Sequence, residues 1–420
     1  MADSSAVRPG RNEALDYLRV VGLVMMVCAH FWRPLLRLYG AGGVVHAFIE
    51  TAPFPFFLAF GMTQHRVVRR ETASLRGYYI LFGLVGLLHA YFMWLQPVWE
   101  FLLFLWFWAV LLALAKPLRL QSPQVVALAG LILALNAVLP LATNPFAIAA
   151  AEQRGTAPFV LHRWLIPGFF QPLPWGAVVL LGFALGTAFP RWLRRPLPLL
   201  CLAVVSAASA YRISTQRSDV PLGFRFDAHK WTATSTYLVL GCALTLILYS
   251  VCGLASRLRL LQRYVYPLAR FLSDHLLEAT VFHYLPVQAL LDRRLGLPRA
   301  INGMQVGRWW AICLASLTNF ILLLAGLGAL DAIWRALTRV AGGAMQRAGW
   351  VSVALTAFAL WGLLELASVT ERIDEFSLRW IAFALMVWLS FYLRFVRGLR
   401  APQTETAKTL FVAPSSCDER

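Results

Sequence analysis

The feature that most constrains this chain is its long series of apolar segments, each about the length that crosses a bilayer. Hydrophobic residues make up 59% of its 420 residues and charged residues only 14%. Taking ~20 apolar residues as one membrane-spanning helix, we predict helices at 18–38, 44–64, 77–95, 98–116, 124–142, 173–190, 196–211, 231–254, 268–291, 309–334, 348–369 and 377–397. The predicted fold class is all-α, a polytopic integral membrane bundle of about 10 to 12 transmembrane helices.

Basic residues are concentrated between these segments, and their order predicts a topology. With the N-terminus in the cytoplasm, alternate loops carry the clusters, as the positive-inside rule requires. The clusters are Arg66/Arg69/Arg70/Arg76, Lys116/Arg119, Arg191/Arg194/Arg195, Arg257/Arg259/Arg263/Arg270, Arg335/Arg339/Arg347 and Arg394/Arg397/Arg400. We therefore expect a multi-pass protein of the plasma (inner) membrane with both termini cytoplasmic. Because the net charge of +18 is scattered rather than gathered on one polar face, we expect no nucleic-acid partner.

The chain divides into three regions by composition. Residues 1–17 are predicted to form a cytoplasmic segment, 18–397 the transmembrane domain, and 398–420 a disordered cytoplasmic tail. The N-terminus is too polar, and the apolar run after it too long, for a cleaved signal peptide. The six cysteines show no Cys-x-x-Cys spacing, so we expect neither a disulfide framework nor a metal site. No permanently bound cofactor is expected.

The first apolar segment, RNEALDYLRVVGLVMMVCAHFWR, carries Asp16, Arg19 and His30 on or near its path through the membrane. An ionisable group at membrane depth is costly unless it is paired or used. Arg19 and His30 are eleven residues apart, which in a helix is about three turns and ~16 Å, so both side chains point to one face. A ligand that reaches both must be long and thin with an anionic end, as acyl-coenzyme A is.

The same segment resembles the first helix of the membrane-bound acyltransferase family 3, whose signature is Arg or Lys, ten residues, then His. Arg66 and Arg69 match a second signature, Arg-x-x-Arg shortly after the second membrane helix. FLSDHLLEATVFHY, with Ser273 and His283, is similar to a serine-containing turn that runs into a helix ending in His. Related branches are the glucan succinyltransferases and the heparan glucosaminide N-acetyltransferase-like proteins.

The resemblance implies transfer of an acyl group from acyl-coenzyme A, such as acetyl- or succinyl-coenzyme A, to a hydroxyl. The acceptor would be a carbohydrate or glycolipid, reached from the extracytoplasmic side. Arg19, Arg66 and Arg69 would hold the coenzyme's phosphates, since guanidinium groups suit phosphate oxygens. His30 would remove the proton from the acceptor hydroxyl. Direct transfer and transfer through an acyl-enzyme both remain open.

Two other residues are expected to support this site. Asp16, three residues before Arg19, would pair with and position that arginine. His283 would line the site. Asp274 and Glu278, four residues apart on one predicted helix, would share a side from which His283 is rotated away.

Each of these residues also has a structural interpretation. Arginines at membrane boundaries follow from topology alone, and a buried histidine such as His30 can simply bond a backbone carbonyl. Glu100, at the start of the fourth segment, is interpreted as a solvated loop charge.

Two other function classes are compatible with the sequence. A transporter of acyl groups or lipid-linked sugars would also place His and Arg inside the membrane, but it would release no free thiol from coenzyme A. A structural subunit would have no need for an aligned Arg19 and His30.

Overall fold

A computed structural model describes residues 12–37, 51–69, 75–94, 99–138, 170, 172–186, 195–215, 234–284, 308–369 and 375–398. These residues are almost entirely helical and contain no strand, which confirms the all-α prediction. The helices are α1 Glu13–Arg37, α2 Pro53–Arg69, α3 Leu75–Trp94, α4 Phe101–Leu114, α5 Ser122–Val138, α6 Pro172–Gly186, α7 Pro196–Thr215, α8 Ser235–Ala255, α9 Arg259–Tyr264, α10 Tyr266–Asp274, α11 Leu276–Phe282, α12 Arg308–Val369 and α13 Glu375–Gly398. A short 3-10 turn, Lys116–Leu118, follows α4.

Two helical stretches are long and apolar enough to cross a membrane, judged by length and composition. They are α8, Ser235–Ala255, and Trp310–Val340 within α12. Six further apolar stretches among the described residues are shorter, at 10–17 residues. The count of ten to twelve spans therefore stays a prediction.

Helix α1 lies at the centre of the described bundle. It packs against α2, α8, α10, α11 and α12, and its Leu18 and Leu23 are fully buried. Asn12 caps its start, accepting a 3.2 Å hydrogen bond from the backbone N–H of Leu15, and Glu13 follows in the first turn, where a negative charge suits the helix dipole. With these two signals the helix begins at Glu13, five residues before the predicted start at residue 18.

Helices α2 and α6 pack through glycines at very close range. A Cβ atom added at Gly61 would lie 2.1 Å from the carbonyl oxygen of Val179, and one added at Gly182 would lie 2.2 Å from that of Leu58. Only residues without a side chain allow two helix backbones to approach so closely. This contact fixes α2 against α6 and so helps to position the polar residues of α2.

The predicted helix 268–291 is wrong in its middle, because the chain breaks between α10 and α11 at His275. The His275 ring accounts for the break: its Nδ1 lies 2.8 Å from the Phe271 carbonyl and its Nε2 lies 3.0 Å from Asp331 on α12. A side chain that bonds the backbone of the preceding turn competes with the helix ladder. The expected shared side is also wrong, since the Asp274 side chain is 45% exposed and Glu278 is buried.

The two predicted helices 309–334 and 348–369 are one continuous helix, α12. No proline interrupts Arg308–Val369, so nothing in the local sequence forces a turn. At 1.5 Å per residue the helix is ~93 Å long, about three bilayer cores. One continuous helix would cross a bilayer once, where the sequence predicts two spans. Whether the number of spans is odd or even, and so the side on which the C-terminus lies, also stays a prediction.

Candidate functional site

A buried polar network surrounds Asp16 and Arg19 on α1. Arg19 donates from Nη1 to Asp16 Oδ1 at 3.4 Å and to Ser273 Oγ at 3.1 Å, and from Nη2 to Thr63 Oγ1 at 2.5 Å. Ser273 in turn donates to Asp16 Oδ1 at 2.7 Å, and Tyr266 donates to Asp16 Oδ2 at 3.2 Å. The network therefore ties α1 to α2 and to α10 through hydrogen bonds to an ionised pair, which are stronger than neutral ones.

This network determines how Arg19 meets a ligand. Asp16 is only 2% exposed, and the Arg19 side chain keeps 20% of its surface accessible. The guanidinium is thus held in place by its neighbours, while part of the Arg19 side chain stays accessible. Held groups of this kind lose little freedom when they bind an anion.

A cavity of about 290 Å³ adjoins the beginning of α1. Its lining includes Asn12, Met62, Tyr249, Ser250 and Arg257. Asp16, Arg19, Thr63 and Ser273 are not among its lining residues, so the cavity lies at the start of α1 and outside the Asp16–Arg19 network. Its mixed lining, with an exposed arginine, suits a ligand that carries both polar and apolar parts.

The second group of polar residues lies three turns further along α1, around His30. The His30 ring centroid is 5.1 Å from that of His283 and 5.1 Å from that of Tyr284. His283 and Tyr284 are themselves 4.1 Å apart. The segment that begins at Ser273 therefore runs beside α1, with Ser273 against Arg19 and His283 against His30.

Helix α3 adds a third histidine to this group. The ring centroid of His89 lies 5.6 Å from that of Tyr284, so Tyr284 contacts three imidazoles. We call these four residues, His30, His89, His283 and Tyr284, the imidazole cluster. His89 is 1% exposed and His283 is fully buried. Sequence reasoning assigned no role to His89 or Tyr284, although an ionisable residue inside an apolar helix such as α3 was a usable signal.

The imidazole cluster contains nitrogens without hydrogen-bond partners. His283 Nδ1 lies 2.5 Å from the carbonyl oxygen of Thr280. Because a carbonyl can only accept, Nδ1 carries the proton of the neutral ring and Nε2 presents a lone pair. Within the described residues His283 Nε2 and both ring nitrogens of His89 have no partner. Each such buried group costs ~1–3 kcal/mol.

Two sequence expectations nearby need correction. Glu100 is 5% exposed rather than a solvated loop charge. Arg69 ends α2, so the Arg-x-x-Arg pair lies in the last turns of that helix rather than after it. The side chains of Arg66 and Arg69 lie outside the described part of the chain, and their predicted role in coenzyme binding stays a prediction.

A separate polar cluster lies between α11 and α12. His275 bonds Phe271 and Asp331 as described above, and Asp331 Oδ2 is 2.7 Å from Arg335 Nη2. Both nitrogens of this buried histidine thus have partners, unlike those of His89. In the described ranges, no group of three or more His, Cys, Asp or Glu side chains is arranged to hold a metal ion.

No model of a known protein family matches this chain, and neither does any curated protein. The resemblance to membrane-bound acyltransferase family 3 therefore depends on the sequence motifs alone.

Proposed function

We propose that this protein is a membrane O-acyltransferase that moves an acyl group from acyl-coenzyme A to a hydroxyl of a sugar or glycoconjugate. The observation that carries the proposal is the pairing of α1 with the Ser273–Tyr284 segment. An anchored arginine lies at one end of this pairing and a cluster of buried imidazoles at the other. Arg19 and His30, about three helical turns apart, match the two ends of an extended acyl-coenzyme A.

In this proposal the donor enters from the cytoplasm by way of the cavity at the start of α1. Arg19, Arg66 and Arg69 hold the coenzyme's phosphates, and Asp16 positions Arg19. The thioester then extends along α1 toward His30. Burial among apolar helices excludes water and so limits hydrolysis of the thioester.

The reaction needs one proton acceptor and one leaving group. His30 takes the proton of the acceptor hydroxyl, and the hydroxyl oxygen forms a bond to the thioester carbonyl carbon. The carbon–sulfur bond breaks, and the coenzyme A thiolate leaves with the proton from the imidazolium. The products are an ester and free coenzyme A.

A membrane location is part of the proposal. Aliphatic side chains cover outer faces of α5 and α12; Leu131 is 55% exposed, Val138 73%, Leu314 66% and Leu317 56%. Such faces are unfavourable in water and favourable against lipid. They support a membrane location. We propose an inner-membrane bundle of about ten to twelve spans, with the acceptor arriving from the extracytoplasmic side.

Thiol release tests the function directly. Purified protein in lipid nanodiscs is given acetyl- or succinyl-coenzyme A with crude cell-envelope glycans, and free thiol is measured for wild type, His30→Ala and the control His65→Leu. General base catalysis contributes ~10²–10⁴-fold in rate, so we expect His30→Ala to lose most of the acceptor-dependent release. His65 packs on Phe183 instead, and its variant should keep wild-type activity.

The result also separates the competing function classes. If wild type releases no thiol with any donor, or if His30→Ala equals wild type while folded by size-exclusion chromatography, the acyltransferase proposal is wrong. Transport of labelled acyl groups or lipid-linked sugars across proteoliposomes would then be measured, since a transporter moves its substrate without releasing thiol.

A further inference from the structure

The imidazole cluster offers hydrogen-bonding capacity that the described residues do not use. His283 Nε2 can only accept, because Nδ1 donates to the Thr280 carbonyl. The neutral His89 ring has one donor and one acceptor, both without a partner. Both rings contact Tyr284, so these three nitrogens lie around one aromatic side chain.

The direction of these bonds restricts the ligand. A group that satisfies His283 Nε2 must donate, which excludes a thioester carbonyl and an acyl chain. A group that meets both donor and acceptor of His89 must accept and donate as well. A hydroxyl does both, and two neighbouring hydroxyls of one molecule can satisfy both histidines.

We propose that His89 and His283 form the binding site for a pair of neighbouring hydroxyls on the acceptor. The acceptor is therefore a polyhydroxylated compound rather than a simple alcohol. The inference rests on the proposed function: a third hydroxyl, or one of the pair, loses its proton to His30, whose ring lies 5.1 Å from that of His283. His89 is then a binding residue that determines acceptor specificity.

Two probes that differ only in their hydroxyls test this site. They are methyl glucoside and its tetra-O-methyl derivative, which keeps the ring but has no hydroxyl donor. The melting temperature of the protein in nanodiscs is measured with each probe for wild type, His89→Leu, His89→Gln and the control His65→Leu. This measurement needs no catalysis, so its outcome is independent of whether the protein releases thiol.

We expect methyl glucoside to raise the melting temperature of wild type and of His65→Leu, and the methylated probe to leave it unchanged. His89→Leu should lose the shift, and His89→Gln, which keeps a donor and an acceptor, should restore part of it. Where thiol release is measurable, we expect His89→Leu to raise the KM for the acceptor by ~10-fold, the effect of one or two lost hydrogen bonds. The KM for acetyl-coenzyme A should not change.

Four results would overturn the inference. The first is a wild type that shows no shift, or an equal shift with both probes. The second is a His89→Leu protein whose shift matches that of wild type. The third is an increase in the KM for acetyl-coenzyme A as large as that for the acceptor, which would place His89 on the donor side. The fourth is a His89→Leu protein that releases thiol with the wild-type KM for the acceptor. That result would reject this site and leave the acyltransferase proposal standing.

Discussion

Two buried polar regions lie along the same helix, and they differ in how well their hydrogen bonds are satisfied. In the region around Asp16 and Arg19, these two side chains and those of Thr63, Tyr266 and Ser273 all form hydrogen bonds. Around His30 the neighbouring His89 and His283 leave three nitrogens without one. Native proteins rarely leave buried groups unpaired. The first region holds helices together, and on our proposal the second binds a ligand.

The two regions differ because different neighbours are available to the polar groups in each. In the Asp16–Arg19 region a carboxylate, a guanidinium and hydroxyls complement one another, so the helices themselves supply all the bonds. In the described part of the chain, the imidazole cluster contacts aromatic side chains such as Phe92, which offer no hydrogen bond, and the buried Glu100 lies near Tyr284. On our proposal, a molecule that enters the site supplies the partners of the histidine nitrogens.

The largest expected effect comes from removing the Asp16 carboxylate, which lies at the centre of the region whose hydrogen bonds are satisfied. Asp16→Ala leaves Arg19, Ser273 and Tyr266 without their shared acceptor, and we expect a loss of about 3 kcal/mol in unfolding free energy. Thermal unfolding in detergent measures it. The control is Glu13→Ala, which removes a carboxylate one turn earlier that accepts a 3.4 Å hydrogen bond from exposed Gln262 and should change stability much less. An unchanged melting temperature for Asp16→Ala would mean that the network does not hold α1.

A second prediction compares two buried histidines. His275→Leu removes a ring whose nitrogens both have partners, and Asp331 loses one of its partners. We expect a loss of about 2 kcal/mol, again by thermal unfolding. A gain in stability would show that the hydrogen bonds of His275 make no net contribution to the free energy of unfolding.

The smallest effect should have the opposite sign. His89→Leu replaces an imidazole with two unpaired nitrogens by an apolar side chain of similar size, and we expect stability to rise by about 1 kcal/mol. His89 would thus contribute to ligand binding while lowering the stability of the protein. A clear fall in melting temperature would indicate that the nitrogens of His89 already have partners, such as ordered water, in the unliganded protein.

Much of the architecture could be predicted from sequence because it depends on local periodicity. Apolar runs placed the helices near their observed positions, and eleven-residue spacing placed Arg19 and His30 on one helix, α1. Boundaries failed where a distant contact or a missing signal decided the outcome. His275 breaks its helix because of Asp331, 56 residues later, and α12 continues because no proline stops it.

What the sequence determined by itself was the helical class, the apolar surfaces and the presence of ionisable residues on α1. The tertiary structure alone decided their partners: Arg19 meets Ser273, 254 residues away, and His30 meets His283 and, through Tyr284, His89. Helical period fixes which residues share a face within one segment. Which faces meet depends on close packing between helices, as at Gly61 and Gly182, and that geometry has no local signature in the chain.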